Sequence, residues 1–462
     1  MKKNTLLLAG LLAIGAAMGQ DKKALDNIQK TYLTGKIDAA KEAVDKLIAD
    51  PANASSPEAW LWKSTIDADY TMKEESLAKC PTCASSGYDA FKKYQALEPN
   101  LSGIAEVPFK WKPLINLYTY FFNEGRKLYT DKKYNEAYDE YSKAAFFGKI
   151  ITDKKIGNNP GAIDTFPILM CAYTAHFAKK SKEAVENFSV LADINYKGEA
   201  ETEIYNLLLL NCIYIKDKAT FDKYYTLAQS RFPTGGFEDY KIEYLKQNAS
   251  LEEKLQTYQS EDAKGTLSSN SYLEFGVFFS NFTKEDRSYL EKNEDKKELF
   301  HNTAIDALKK SYAKSNDTLA AFNIGVLYYN GQNDLDDKRN DNVKKMQEIN
   351  ATKSVEKDPK KKQAADAKIK EQLEPLKKAN ADLEARIQTT CDNSIEWLEK
   401  AYNAWKAKTD KNKLEKSSFK NAVKFLGTLY EHKREKVKGK DPKAYDTFDA
   451  KSKQFYDMYD KL

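Results

Sequence analysis

Cys80-Pro81-Thr82-Cys83 is the one motif in this chain whose residue types and spacing carry chemistry by themselves. Two thiols at this spacing can close a local disulfide, exchange with another thiol, or supply half of a metal site. A redox dithiol belongs at the start of a helix beside a β-α-β unit, and no strand pattern lies nearby. The motif sits in a polar insertion, Lys73 to Ser86, between two helical stretches. A zinc site needs two further ligands, and no second Cys or His pair has suitable spacing. The favoured reading is a structural Cys80–Cys83 disulfide in an oxidising compartment; free or intermolecular thiols and a redox or metal role are the alternatives.

The remaining reactive residues are dispersed. Cys171 and Cys212 fall on the inner helices of successive helix pairs, where a buried free thiol acts as a small hydrophobe; a bridge between them requires close Cα atoms. Cys391 has no evident mate. His176, His301 and His432 lie in separate pairs, read as surface or groove positions, and no nucleophile pattern accompanies them. Gly235-Gly236 lacks the strand–turn–helix setting of a phosphate cradle. No catalytic constellation, metal set or cofactor site is expected, and the chain reads as a non-enzyme.

The elements that position these residues are helices. Trp111 to Phe147 reads as two amphipathic helices, one ending near Tyr129 and the next beginning near Tyr134. Phe121, Gly125 and Leu128 share one face, and Tyr134, Ala137, Tyr141 and Ala144 share another. Small residues at Gly125 and Ala137 let two antiparallel helices cross closely while aromatics fill the flanks. One hairpin cannot bury both its apolar faces, so stacked neighbours are expected.

The rest of the chain supplies them. Residues 21–50 form a first pair. Ser56-Pro57 opens a helix carrying Trp60, Ser64 and Asp67, with Gly87 to Leu97 as its partner; Asp67 stands where an aromatic is expected. Further pairs are Ile168–Phe177 with Ala184–Leu191, Tyr205–Tyr214 with Phe221–Phe232, and Tyr240–Leu245 with Leu251–Tyr258. Leu273, Gly276 and Phe279 pair with Ala304, Leu308 and Ser311 across a polar insertion. Ala321 to Tyr329 must wait about sixty residues for its partner at Ser394, Leu398 and Ala401. Val423, Leu426, Gly427 and Tyr430 join a last helix opened by Asp441-Pro442.

The segment 334–392 between those partners contains no aromatic residue. Fourteen basic and twelve acidic residues interleave from Asp334 to Arg386. Ile369, Leu373, Leu376, Leu383 and Ile387 follow a 3.5-residue period interrupted by Asn380. This predicts an antiparallel helical arm, capped by Asp358-Pro359 and bent at Pro375, rather than a disordered loop.

Residues 1–19 have the form of a cleaved export signal: basic Lys2-Lys3, an apolar Leu6 to Gly15, and Ala17-Met18-Gly19, with the mature chain starting at Gln20. The formal charge of +5 falls to +3 without Lys2 and Lys3. Near-balance at this length calls for no nucleic-acid partner, and no membrane span is expected in the mature chain.

Gly125, Leu128, Tyr134, Ala137, Tyr141 and Ala144 resemble the tetratricopeptide repeat, a helix hairpin of about 34 residues. The expected fold is therefore all-α, an α-solenoid of stacked antiparallel pairs over 20–333, with the arm at 334–392 inserted in a repeat that 393–462 completes. With the leader and arm, the chain resembles exported tetratricopeptide proteins of the Bacteroidetes type. The resemblance implies a groove lined by the first helices, at Phe122, Arg126, Tyr129, Tyr173, His176, Phe177, Tyr214 and Tyr329, which takes a peptide or partner protein of an envelope complex. The expected role is a periplasmic binding scaffold. A glycan-binding protein of the helical-repeat type and a thiol-redox protein using Cys80 and Cys83 are the alternatives.

Overall fold

The computed structural model describes residues 22–105, 111–156, 163–351 and 359–462. The export signal, the Gln20 start and Asp358 lie outside the described residues. Among the described residues every regular element is helical. The chain divides into two compact units, Met1–Tyr240 and Lys241–Leu462, just beyond Gly235-Gly236.

The first unit contains α1 (22–33), α2 (Ile37–Ala49), α3 (Pro57–Tyr70), α4 (Glu74–Lys79), α5 (Cys83–Leu97) and α6 (Lys112–Thr130). It continues with α7 (Tyr134–Asp153), α8 (Thr165–Phe177), α9 (Ser181–Asp193), α10 (Glu201–Ile215) and α11 (Lys218–Arg231). Each long helix packs chiefly on its neighbours in sequence; α3 also skips over α4 to pack on α5. Three helices of the first unit start on a side-chain cap, α3 at Ser56, α8 at Asp164 and α11 at Asp217; Ser56 accepts a hydrogen bond from the Ala59 N–H at 3.3 Å, with Pro57 in the first turn. The Lys73–Ser86 insertion differs from expectation. It holds α4, and α5 opens at Cys83 rather than Gly87.

Four of the hairpins turn in the same way. Gly35, Lys132, Lys179 and Lys216 are left-handed, with φ of 77°, 59°, 60° and 59°. The next residue's N–H then reaches back to close the turn, Lys36 to Thr31, Lys133 to Leu128, Lys180 to Ala175 and Asp217 to Cys212, at 2.8–3.2 Å. A lysine in this region costs roughly 1 kcal/mol. The packing of the two helices imposes the turn on it.

Helix crossings are close because one side is small. A Cβ on Gly125 would sit 3.0 Å from the Tyr141 ring, tighter than ordinary contact, so glycine lets α6 lie close on α7. Elsewhere a buried serine bonds across the crossing to a glycine carbonyl: Ser64 to Gly87 at 2.9 Å, Ser394 to Gly325 at 2.8 Å and Ser452 to Gly427 at 3.0 Å.

In the second unit, α12 (Glu238–Asn248) crosses the division and is followed by α13 (Leu251–Lys264), α14 (Ser269–Phe278), α15 (Lys284–Lys292) and α16 (Asp295–Ser315). The polar insertion between α14 and α16 is itself helical, as α15, and α14 packs on α16 as the sequence pattern requires. Then come α17 (Thr318–Ala351), α18 (Pro359–Ala407), α19 (Lys413–Val437) and α20 (Pro442–Tyr459).

Helices α17 and α18 run unbroken from the body into the arm, and α18 continues on both sides of Pro375. The arm has its own seam: Leu335, Leu383 and Ile387 form a buried cluster, and Ile369 and Leu373 are also buried. Asn342 Nδ2 donates to Asn380 Oδ1 at 2.9 Å inside that seam. An amide pair between two helices favours one register, because sliding either helix breaks the bond. At the base, Glu384 accepts from Arg339 at 2.9 Å and from Lys436 of α19 at 2.6 Å.

Two outcomes are expected. Gly125→Leu forces side-chain bulk against Tyr141 and should destabilise the first unit by about 1–3 kcal/mol, read as a lowered melting temperature. Replacing residues 340–382 with a short Gly/Ser linker removes arm but spares Leu335, Arg339, Leu383, Glu384 and Ile387. Helical content by circular dichroism should fall while the main unfolding transition stays near that of the intact protein.

Candidate functional site

Seven of the eight groove positions lie in the first unit, on α6, α8 and α10. Phe122 of α6 stacks on Tyr118 with centroids 5.9 Å apart and lies 5.4 Å from Phe166 on α8. Its edge meets Tyr141 of α7 at 5.7 Å. Two turns further along α6, Tyr129 lies 5.7 Å from Tyr134 and 6.4 Å from Phe177 of α8. Phe122 and Tyr129 both pack on the small core of Ala137, Tyr141 and Cys171. The first helices of two successive pairs are thus joined by rings, with the core below them.

Phe177 is the centre of the second group. Its ring is 44% exposed, 5.0 Å from Tyr134, 5.3 Å from His176 and 6.4 Å from Tyr173. The Tyr173 hydroxyl donates to Glu203 of α10 at 3.0 Å; burial first, and then this bond, raise its pKa above the ordinary tyrosine value. His176 Nδ1 lies 3.0 Å from the Asn211 amide nitrogen, which only donates, so Nδ1 accepts and the ring is oriented by α10. Tyr214 is 54% exposed near the end of α10, and Arg126 is exposed on α6.

The groove expectation thus divides. Phe122, Tyr129, Tyr173, His176 and Phe177 are brought together. Tyr329 belongs to the second unit, where its half-buried ring lies 4.6 Å from Phe425 and packs against that unit's core. Phe166, 51% exposed in the first turn of α8, is an aromatic of the same strip that sequence reasoning passed over. It precedes the repeat-like spacing, and only the ring contact with Phe122 marks it.

The cysteines are placed differently from one another. Cys80 and Cys83 are joined by a disulfide, whereas Cys171, Cys212 and Cys391 are buried free thiols. Burial pushes each of these three thiols up to about 12, so they are inert at neutral pH. Among the described residues no group of three or more His, Cys, Asp or Glu could hold a metal ion. No described helix is long and apolar enough to cross a membrane.

His301 and His432 are not simple surface residues. His301 lies against the backbone of Gly331 on α17, and His432 of α19 faces the arm base, near Asp336, Arg339, Glu384 and Lys436. Desolvation is the main cause holding both below the ordinary histidine value; Lys436 adds to it for His432, while nearby carboxylates oppose it. No family model matches this chain, and a search of curated proteins finds no match.

The two histidines set a pH dependence. A folded-state pKa below the unfolded one means that the unfolded chain binds more protons as pH falls, so their stabilisation is full above about pH 6.5 and drains away below it. The melting temperature should drop between about pH 7 and pH 5. His301→Gln with His432→Gln should flatten that slope, measured by thermal melts across the range.

Proposed function

We propose that this chain is an exported helical-repeat scaffold of tetratricopeptide type that binds an extended peptide or a partner protein within an envelope assembly. The observation that carries the reading is the aromatic strip on the first helices of successive pairs in the first unit. Phe166 and Phe177 are exposed there, although α8 buries its other face, and Tyr214 of α10 is exposed as well. Exposed aromatics in a row are poor for solubility and good as anchors for a ligand that desolvates them. Glu203, bonded to Tyr173, and Arg126 add charge of both signs beside the rings, suited to orienting a peptide backbone or its charged side chains.

Export rests on the leader pattern and on the disulfide, which favours an oxidising compartment. A solenoid arrangement of the pairs is supported by the repeated left-handed turns and by packing between sequence neighbours. Ring faces flanked by a carboxylate and a guanidinium offer binding as their chemistry.

A displayed peptide library screened against the intact mature chain tests the proposal. Peptides should be enriched, and Phe177→Ala with Tyr214→Ala should weaken their binding by roughly 2 kcal/mol, about thirtyfold. Val343→Ala on the arm should leave it unchanged. Binding of oligosaccharides in place of peptides, lost in the same double variant, would favour the glycan-binding alternative. N-terminal mass spectrometry of protein from cells should find Gln20 first.

A further inference from the structure

The Cys80–Cys83 disulfide lies against a closed ring of charges. Lys41 bonds Asp45 at 2.9 Å, Asp45 bonds Lys63 at 2.7 Å, Lys63 bonds Asp67 at 2.6 Å, and Asp67 bonds Lys41 at 3.1 Å. Asp67 is fully buried, whereas Asp45 is 42% exposed and forms the ring's solvent corner. Asp67 also accepts from Ser86 Oγ at 2.7 Å, and its Oδ1 lies 3.5 Å from Cys83 Sγ. Beyond the ring, Tyr70 donates to Asp38 at 2.5 Å, and Lys79 lies 3.7 Å from that same carboxylate.

The two sulfurs differ. Cys83 is fully buried at the first position of the fifteen-residue α5. Cys80 is half-buried, beside exposed Pro81 and Thr82, at the end of α4. No residue of α4 is buried, although Cys80 itself, half-buried, packs against the core of the first unit.

We propose that Cys80–Cys83 is a thiol–disulfide exchange site for a protein or small-molecule dithiol, with Cys80 the attacked sulfur and Asp67 the proton carrier for Cys83. In the reducing direction a thiolate of the dithiol attacks Cys80 Sγ, and the Cys80–Cys83 bond breaks. Cys83 leaves with the electron pair at the start of α5 and takes a proton through Asp67. The dithiol's second thiolate then attacks its own sulfur in the mixed disulfide and releases Cys80, which takes its proton from water. Two electrons and two protons have passed from the dithiol to this chain. In the oxidising direction the Cys80 thiolate attacks the partner's disulfide and frees one of its sulfurs as thiolate; Asp67 Oδ1 then draws the proton from Cys83, which attacks Cys80 Sγ in the mixed disulfide and expels the partner's second sulfur as thiolate. Lys63, bonded to both carboxylates, links Asp67 to Asp45 and so to solvent.

The test uses the full chain. After native reduction with dithiothreitol, alkylation and peptide mapping should label Cys80 and Cys83 but not Cys171, Cys212 or Cys391. Oxidised glutathione should form a stable mixed disulfide on Cys80 in Cys83→Ala and leave Cys83 unmodified in Cys80→Ala. The mixed disulfide of glutathione on Cys80, trapped at low pH and jumped to the test pH, should release glutathione and close the ring at a rate nearly flat around neutrality. Asp67→Asn should slow it about a hundredfold near pH 7 and approach the parent at high pH, where hydroxide replaces the carboxylate. A disulfide reduced only after denaturation, or modification at Cys83 in place of Cys80, overturns the proposal. If Asp67→Asn fails to fold, the parent's own profile decides: closure rising about tenfold per pH unit through neutrality means unassisted thiol ionisation and overturns the role of Asp67.

Discussion

Everything in this protein depends on helices approaching more closely than two ordinary side chains allow. Gly125 lies under the Tyr141 ring, where a Cβ would be crowded at 3.0 Å, and a Cβ on Gly325 would meet Leu398 at 2.6 Å. The serine hydroxyls that reach glycine carbonyls at Ser64, Ser394 and Ser452 can do so only at that separation. Each such bond satisfies a buried hydroxyl that would otherwise cost roughly 1–3 kcal/mol. In the first unit, four of the paired helices reverse through short left-handed turns, three of them with lysine at the left-handed position against its own preference.

That constraint is also why the helix pairs are legible in the sequence. Small residues at crossings, with aromatics one turn away, leave a pattern with helical spacing, and the pairs built on Gly125, Gly276, Gly325 and Gly427 obey it. The arm is legible for a different reason: its charges interleave and its leucines keep a 3.5-residue period, which the buried Leu335, Leu383 and Ile387 cluster matches. The elements that escape reading, α4 and α15, sit in polar insertions and bury little.

The candidate site is legible only in part. Phe122, Tyr129, Tyr173 and Phe177 stand at first-helix positions, and ring contacts gather them. Tyr329 stands at an equivalent position but meets Phe425, whose place no local spacing discloses. Asp67 presents the converse case. In sequence it is an acid where an aromatic is expected; in three dimensions it closes a ring whose other members come from α2 and α3 and whose far side touches a sulfur. Charges that pair across helices leave no periodic trace.

The Asn342–Asn380 pair has a mechanical consequence. From Leu335 to Ala351, α17 rises roughly 25 Å at about 1.5 Å per residue. Two helices locked in one register over that span act as a stiff boom rather than a tether. A stiff boom holds whatever attaches near its end at a set distance, so a partner gripping both boom and body must match that span. Within that geometry the second contact forms at high effective concentration; outside it, the second contact is lost altogether.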